Sequence, residues 1–120
     1  MNGANLQPRD IITLEAEIEE GREVKLRPAL VISKNLLHQN SNGFLFLPIT
    51  TNPIPSPFMM PMNESCVEAG TRLHKINESK IIIDKIIHAK HTEIRNKIGR
   101  VTPEFYRSIT NKLKSDILEI

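Results

Sequence analysis

Three short apolar runs constrain this chain more than any other feature of it. Pro28 to Ile32 is continuous apolar sequence that stops at Ser33-Lys34-Asn35. Phe44 to Thr50 follows a cluster of polar residues, and Lys80 to Ile87 is dense in isoleucine. Runs of this length, rich in β-branched and aromatic residues and bounded by turn formers, read as strands. The unbroken run at 28–32 is the pattern of a strand buried on both faces.

Gln39-Asn40-Ser41-Asn42-Gly43 reads as a turn, with Gly43 able to take positive φ, so residues 28–33 and 44–50 are expected to pair antiparallel. Residues 11–18 mix apolar and polar positions, as an early strand with one wet face does, and Glu19 to Glu23 follow as a charged loop. Lys80 to Ile87 is expected to form a central strand, interrupted by the charges of Asp84 and Lys85. Pro53, Pro55 and Pro57 cannot supply regular ladder donors and mark a loop, which Phe58 to Met62 leaves as a short strand. Residues 63–71 read as a further loop.

The C-terminus predicts a helix over 103–118. Thr102 is a good N-cap, Pro103 falls at the first helical position and Glu104 suits the positive end of the dipole. Phe105, Ile109, Leu113 and Ile117 then recur every four residues and make one apolar stripe. With no internal repeat and no linker, the reading is one domain over 1–120, mainly β with a C-terminal helix (α+β), the helix closing a small barrel.

Hydrophobic residues make up 39% of the 120 and charged residues 25%, in keeping with one core; with four Phe, one Tyr and no Trp, that core must be aliphatic. Sixteen Lys and Arg against fourteen Asp and Glu do not by themselves imply nucleic acid; distribution matters more. Five acids fall in the first twenty residues, while Arg72, Lys75, Lys80, Lys85, Lys90, Arg95, Lys97 and Arg100 make a basic stretch. Cys66 stands alone, which excludes an intramolecular disulfide and a cysteine-based metal site and favours a reducing compartment. The polar N-terminus carries neither a signal sequence nor a membrane span, so a cytoplasmic location without membrane contact is expected. His88 and His91 lack supporting ligands nearby, and three or four are needed for zinc, so no metal site is expected. A Gly-rich phosphate loop, a nucleophile elbow and an HExxH pair are all missing from the sequence.

The order of the pieces is more specific. Asp10-Ile11 comes first, RPALVIS stands at 27–33 and PIT at 48–50. A Pro-rich loop leads into PFMMPM at 57–62, IIIDK follows at 81–85, and KIGRVTPEF at 97–105 opens the helix. This arrangement resembles the MazF/PemK family of toxin endoribonucleases over nearly the whole chain. Arg9 stands where that family usually has Gly before the aspartate. The resemblance implies an SH3-like, CcdB/PemK-type barrel that forms a homodimer, cuts single-stranded RNA without cofactor or metal and is neutralised by a cognate antitoxin. It also implies that Arg27 and Thr50 are catalytic.

Those residue types suit the chemistry. Attack by a ribose 2′-OH on the adjacent phosphodiester passes through a highly charged phosphorane. An arginine gives its oxygens two parallel hydrogen bonds and stays protonated, and a threonine at a strand end donates another. Pro28 pushes Arg27 out of the α region and into extended backbone. Lys25, Thr51, Phe58, Asp84 and Lys85 are the further candidates for RNA contact, with Phe58 the aromatic on which a base can stack. The alternative is a binding module on the same barrel, which grips RNA without cutting it or inhibits a protein target as the related gyrase poisons do.

Overall fold

The computed structural model describes residues 5–17, 24–53 and 56–120. The expected charged loop at 19–23, and Pro55 of the Pro-rich segment, lie outside the described residues. Among the described residues seven strands form one antiparallel sheet: β1 (Asp10–Glu17), β2 (Val24–Val31), β3 (Gly43–Thr50), β4 (Met59–Pro61), β5 (Lys80–Ile82), β6 (Ile87–Lys90) and β7 (Ile94–Arg100). Their order is β4-β5-β3-β2-β1-β7, with β6 also on β3. The sheet is therefore open, and its ladders do not close the ring that the word barrel implies.

Consecutive residues of β1, β2 and β3 are buried because the sheet covers a core on each face. Ile11, Leu30, Leu47 and Ile49 enter one core with Ile81, Ile83 and Ile109. Ile12, Ala29, Val31, Phe44 and Phe46 enter the other with Leu6, Leu14 and Ile94. A strand buried on both faces has no position for a polar side chain, which is why 28–32 reads as an unbroken apolar run. The expected antiparallel pairing of β2 with β3 is present, with Ala29 opposite Pro48 and Val31 opposite Phe46.

Residues 80–87 do not form one central strand. Ile81 and Lys80 pair with Ile49 and Thr50 as β5, the chain turns at Ile83 and Asp84, and β6 returns to pair Ile87 to Lys90 with Phe46 to Gly43. The charges at 84 and 85 mark this turn. Pro48 sits in the gap between the two partners of β3, where its missing N–H breaks no ladder.

A short helix α1 (Asn35–Asn40) follows β2 and takes in Gln39 and Asn40, the first two residues of the expected turn. Gly43 does not use positive φ; a Cβ there would stand 2.2 Å from the ring of exposed His88 and 3.0 Å from the Ala89 carbonyl, so a larger residue has to push the imidazole aside. The C-terminal helix α2 runs over Pro103–Lys112, with Thr102 Oγ1 accepting the Phe105 N–H at 3.2 Å, and continues as one π turn at Leu113–Ile117. A strict four-residue spacing drifts around a 3.6-residue helix; the wider turn keeps Leu113 and Ile117 facing the core beside Ile109.

Candidate active site

β2 and β3 part where their ladder ends, at Ala29 and Pro48. Continuing the same register by two residues sets Arg27 across from Thr50. Both side chains line two cavities, one of about 320 Å³ and one of about 500 Å³. The smaller cavity continues past Ile49 and Ile98 to Arg72, Leu73 and His74. The larger runs past Phe46, Pro48 and Ile87 to Lys85. Arg27 and Thr50 are thus the shared wall between two hollows.

Pro28 holds the backbone after Arg27 in the strand, opposite Thr13 of β1, and Arg27 itself projects exposed. Thr50 Oγ1 accepts the Asn52 N–H at 3.0 Å, which leaves the hydroxyl proton available to a ligand. Thr51 is exposed and lines both cavities. Neither cavity has a carboxylate among its described lining residues, whereas Arg27, Arg72 and Lys85 bring three cations. Such a surface attracts anions.

The fold gathers Arg27, Thr50, Thr51 and Lys85 from the sequence candidates. It leaves Lys25, Phe58 and Asp84 outside both cavities: Lys25 exposed on β2, Phe58 before β4 with its carbonyl accepting the Ile83 N–H at 2.8 Å, and Asp84 exposed in the turn after β5. Lys97, part of the basic stretch, is drawn into an ion pair with Asp10 at 3.2 Å. Arg72 and His74 are functional candidates that sequence reasoning did not single out. They lie in an irregular segment with no periodicity, which hydrogen bonds to β7 hold beside the cavity: Arg72 N donates to Ile98 O at 2.9 Å and Arg100 N to Thr71 Oγ1 at 3.3 Å.

His88 and His91 do not converge on a metal. His88 packs over Gly43, while His91 is buried, stacked on Phe44 with ring centroids 5.9 Å apart and edge-on to His38 at 6.0 Å. Among the described residues no group of three or more His, Cys, Asp or Glu is placed to hold a metal ion. No helix among them is long and apolar enough to cross a membrane.

The family model described as PemK-like, MazF-like toxin of type II toxin-antitoxin system matches residues 7–116. The chain belongs to the PemK/MazF toxin family. No curated protein matches it by sequence. Among solved structures, PemK/MazF-like folds align over most of its length. An endoribonuclease in complex with its cognate antitoxin from a Mycobacterial species is 19% identical, covering 94% of this chain and 91% of that one at a TM-score of 0.67. A MazE-MazF structure from Deinococcus radiodurans is 16% identical, with coverages of 92% and 93% and a TM-score of 0.72. Mycobacterium tuberculosis toxin MazF-mt6 is 14% identical, with coverages of 86% and 90% and a TM-score of 0.64. At these identities the likeness is one of fold. For a PemK/MazF-family chain, the glycine usually found before the first aspartate is replaced here by Arg9, which adopts φ +78°. That is the left-handed region glycine favours. Arg9 Nε donates to Val101 O at 3.1 Å, and its guanidinium pairs with Glu68, so anchoring contacts hold a non-glycine residue in this conformation.

Proposed function

We propose that this protein is a metal-independent, sequence-selective endoribonuclease acting on single-stranded RNA, and the toxin of a toxin-antitoxin pair. The supporting observation is the wall formed by Arg27 and Thr50 between two cavities with no carboxylate among their described lining residues. An RNA strand laid across that wall puts its scissile phosphate against Arg27 and a base in the hollow on either side. Ile49, Ile98, Phe46 and Ile87 offer those bases apolar surface.

The 2′-oxygen forms a bond to phosphorus and the bond to the 5′-oxygen breaks, leaving a 2′,3′-cyclic phosphate and a 5′-hydroxyl. Arg27 holds the phosphorane oxygens with two parallel donors and gives a proton to the departing oxygen. Thr50 positions the phosphate through its remaining proton. Thr51 and Lys85 meet the flanking backbone, Lys25 extends the basic row along β2, and Phe58 and Asp84 act on the strand beyond the cavities. Exposed Leu26, beside Arg27, suits an interface with a second copy of this chain or with the antitoxin; a monomeric mass in light scattering at micromolar concentration would count against the dimer.

Incubation with a long single-stranded RNA in EDTA, with Arg27→Ala in parallel, tests the reading. Discrete fragments from the wild type, reduced about a hundredfold or more in the variant, are expected. RNA left intact by both proteins would point instead to the binding module.

A further inference from the structure

The reaction just described leaves one step without a residue: something must take the proton from the 2′-OH. Arg27 stays protonated throughout the physiological range, and Asp84 lines neither cavity. Among the described residues lining the two cavities there is one histidine, His74, in the hollow that Arg27 and Thr50 also line. Histidine is the side chain whose ordinary proton exchange falls near neutral pH. We propose that His74 is the general base of this reaction, an inference that rests on the nuclease reading above.

The loop carrying His74 is tied on both sides of it. Arg72 N donates to Ile98 O of β7 at 2.9 Å. The Lys75 carbonyl accepts the Glu78 N–H at 2.9 Å and the hydroxyl of buried Ser79 at 3.0 Å. Lys75 itself is held at φ +52°, a conformation that persists only where neighbouring bonds fix it. The mount of the imidazole is therefore set before RNA arrives, while the ring remains exposed to a ligand. Among the described residues lining this cavity the charged groups are Arg27 from β2 and Arg72 from the loop of His74, with Lys75 next in the chain; the described lining residues from β1, β3 and β7 are uncharged.

In the step proposed, neutral His74 accepts the 2′-OH proton as the 2′-oxygen bonds to phosphorus. The 5′-oxygen leaves with a proton from Arg27; the imidazolium then gives its proton to water and Arg27 takes one back from water, which restores both residues. Arg72 stands beside this path as a second guanidinium for the phosphate charge.

The test compares wild type, His74→Ala and His74→Gln on a mixed-sequence single-stranded RNA in EDTA. It measures kcat and kcat/KM from pH 5 to 9 and RNA affinity separately. A loss of about a hundredfold or more in kcat is expected for both variants. Affinity should be nearly unchanged, the acidic limb of the wild-type profile should disappear, and added imidazole should partly rescue His74→Ala. Wild-type rates with the acidic limb intact would overturn the role of His74 while leaving the nuclease reading standing. A loss of affinity matching the loss of rate would make His74 an RNA-gripping residue and overturn the base assignment. A wild type that cuts no RNA would overturn both.

Discussion

Asp10→Ala should cost the fold about 3–4 kcal/mol, because Asp10 is the fully buried carboxylate joining β1 to β7. Its Oδ2 accepts the Gln7 N–H at 2.8 Å, and its Oδ1 faces Arg100 Nε at 3.0 Å and Lys97 Nζ at 3.2 Å. Removing the carboxylate strands a backbone donor, about 1–3 kcal/mol, and deletes charge-assisted hydrogen bonds of about 1.5–3 kcal/mol each. Breaking a buried pair from one side typically costs about 3–5 kcal/mol. The lower part of that range applies because Arg100 and Lys97 side chains keep 29% and 35% of their surface in water and can rehydrate. Arg100 also retains its bond to Pro8 O at 3.0 Å. Asp10→Asn keeps an acceptor for Gln7 and should lose about half as much, while Lys97→Ala should lose about 1 kcal/mol or less. For a chain of this size, 3 kcal/mol lowers Tm by roughly 10–15 °C. Urea and thermal unfolding at neutral pH would measure all three. A loss below about 1 kcal/mol for Asp10→Ala, or equal losses for Asp10→Ala and Lys97→Ala, would refute this account of the network.

Three further outcomes follow from particular residues. Arg9→Ala keeps the left-handed backbone and removes the contacts to Val101 and Glu68, whereas Arg9→Gly relieves a conformation that costs non-glycine residues about 1–2 kcal/mol; the glycine variant should be the more stable by about 1 kcal/mol in urea, and the reverse order would refute the strain. Burial, reinforced by His38 and then His88, lowers the proton affinity of His91 below its ordinary value near 6.5. The unfolded chain then binds more protons than the folded one as pH falls below that value, so stability is present above it and declines on acidification. Tm should be lower at pH 5 than at pH 7.5, with a shallower fall in His91→Phe; an unchanged slope in that variant would exclude His91 as the cause. Lys85→Ala should reduce the salt dependence of RNA binding, the slope of log K against log salt falling by about 0.7; an unchanged slope would remove Lys85 from the phosphate contacts.

The sequence by itself determined the strands that need no distant partner to be recognised. The apolar run at 28–32, the Phe- and Leu-rich run Phe44–Thr50 and the Thr102-Pro103 helix start are local signals with local causes, and each lies where the chain predicts. The antiparallel pairing of β2 with β3 was also legible, whereas Arg27 and Thr50 were named by the family resemblance and the register that sets them across from one another is visible only in the structure. Other features depend on contacts far apart in the chain. Ile81 and Ile87 look like one strand until β3 offers two separate ladders on either side of Pro48, and only then does the charged pair at 84 and 85 become a turn. Gly43 gives no sign that the His88 ring, forty-five residues away, lies over it. Arg72 and His74 belong to a segment without periodicity, and a backbone hydrogen bond to Ile98 brings them beside Arg27. Periodicity records which face of an element is buried; it carries no record of which loops are tied beside a cavity, and that was decided by tertiary hydrogen bonds.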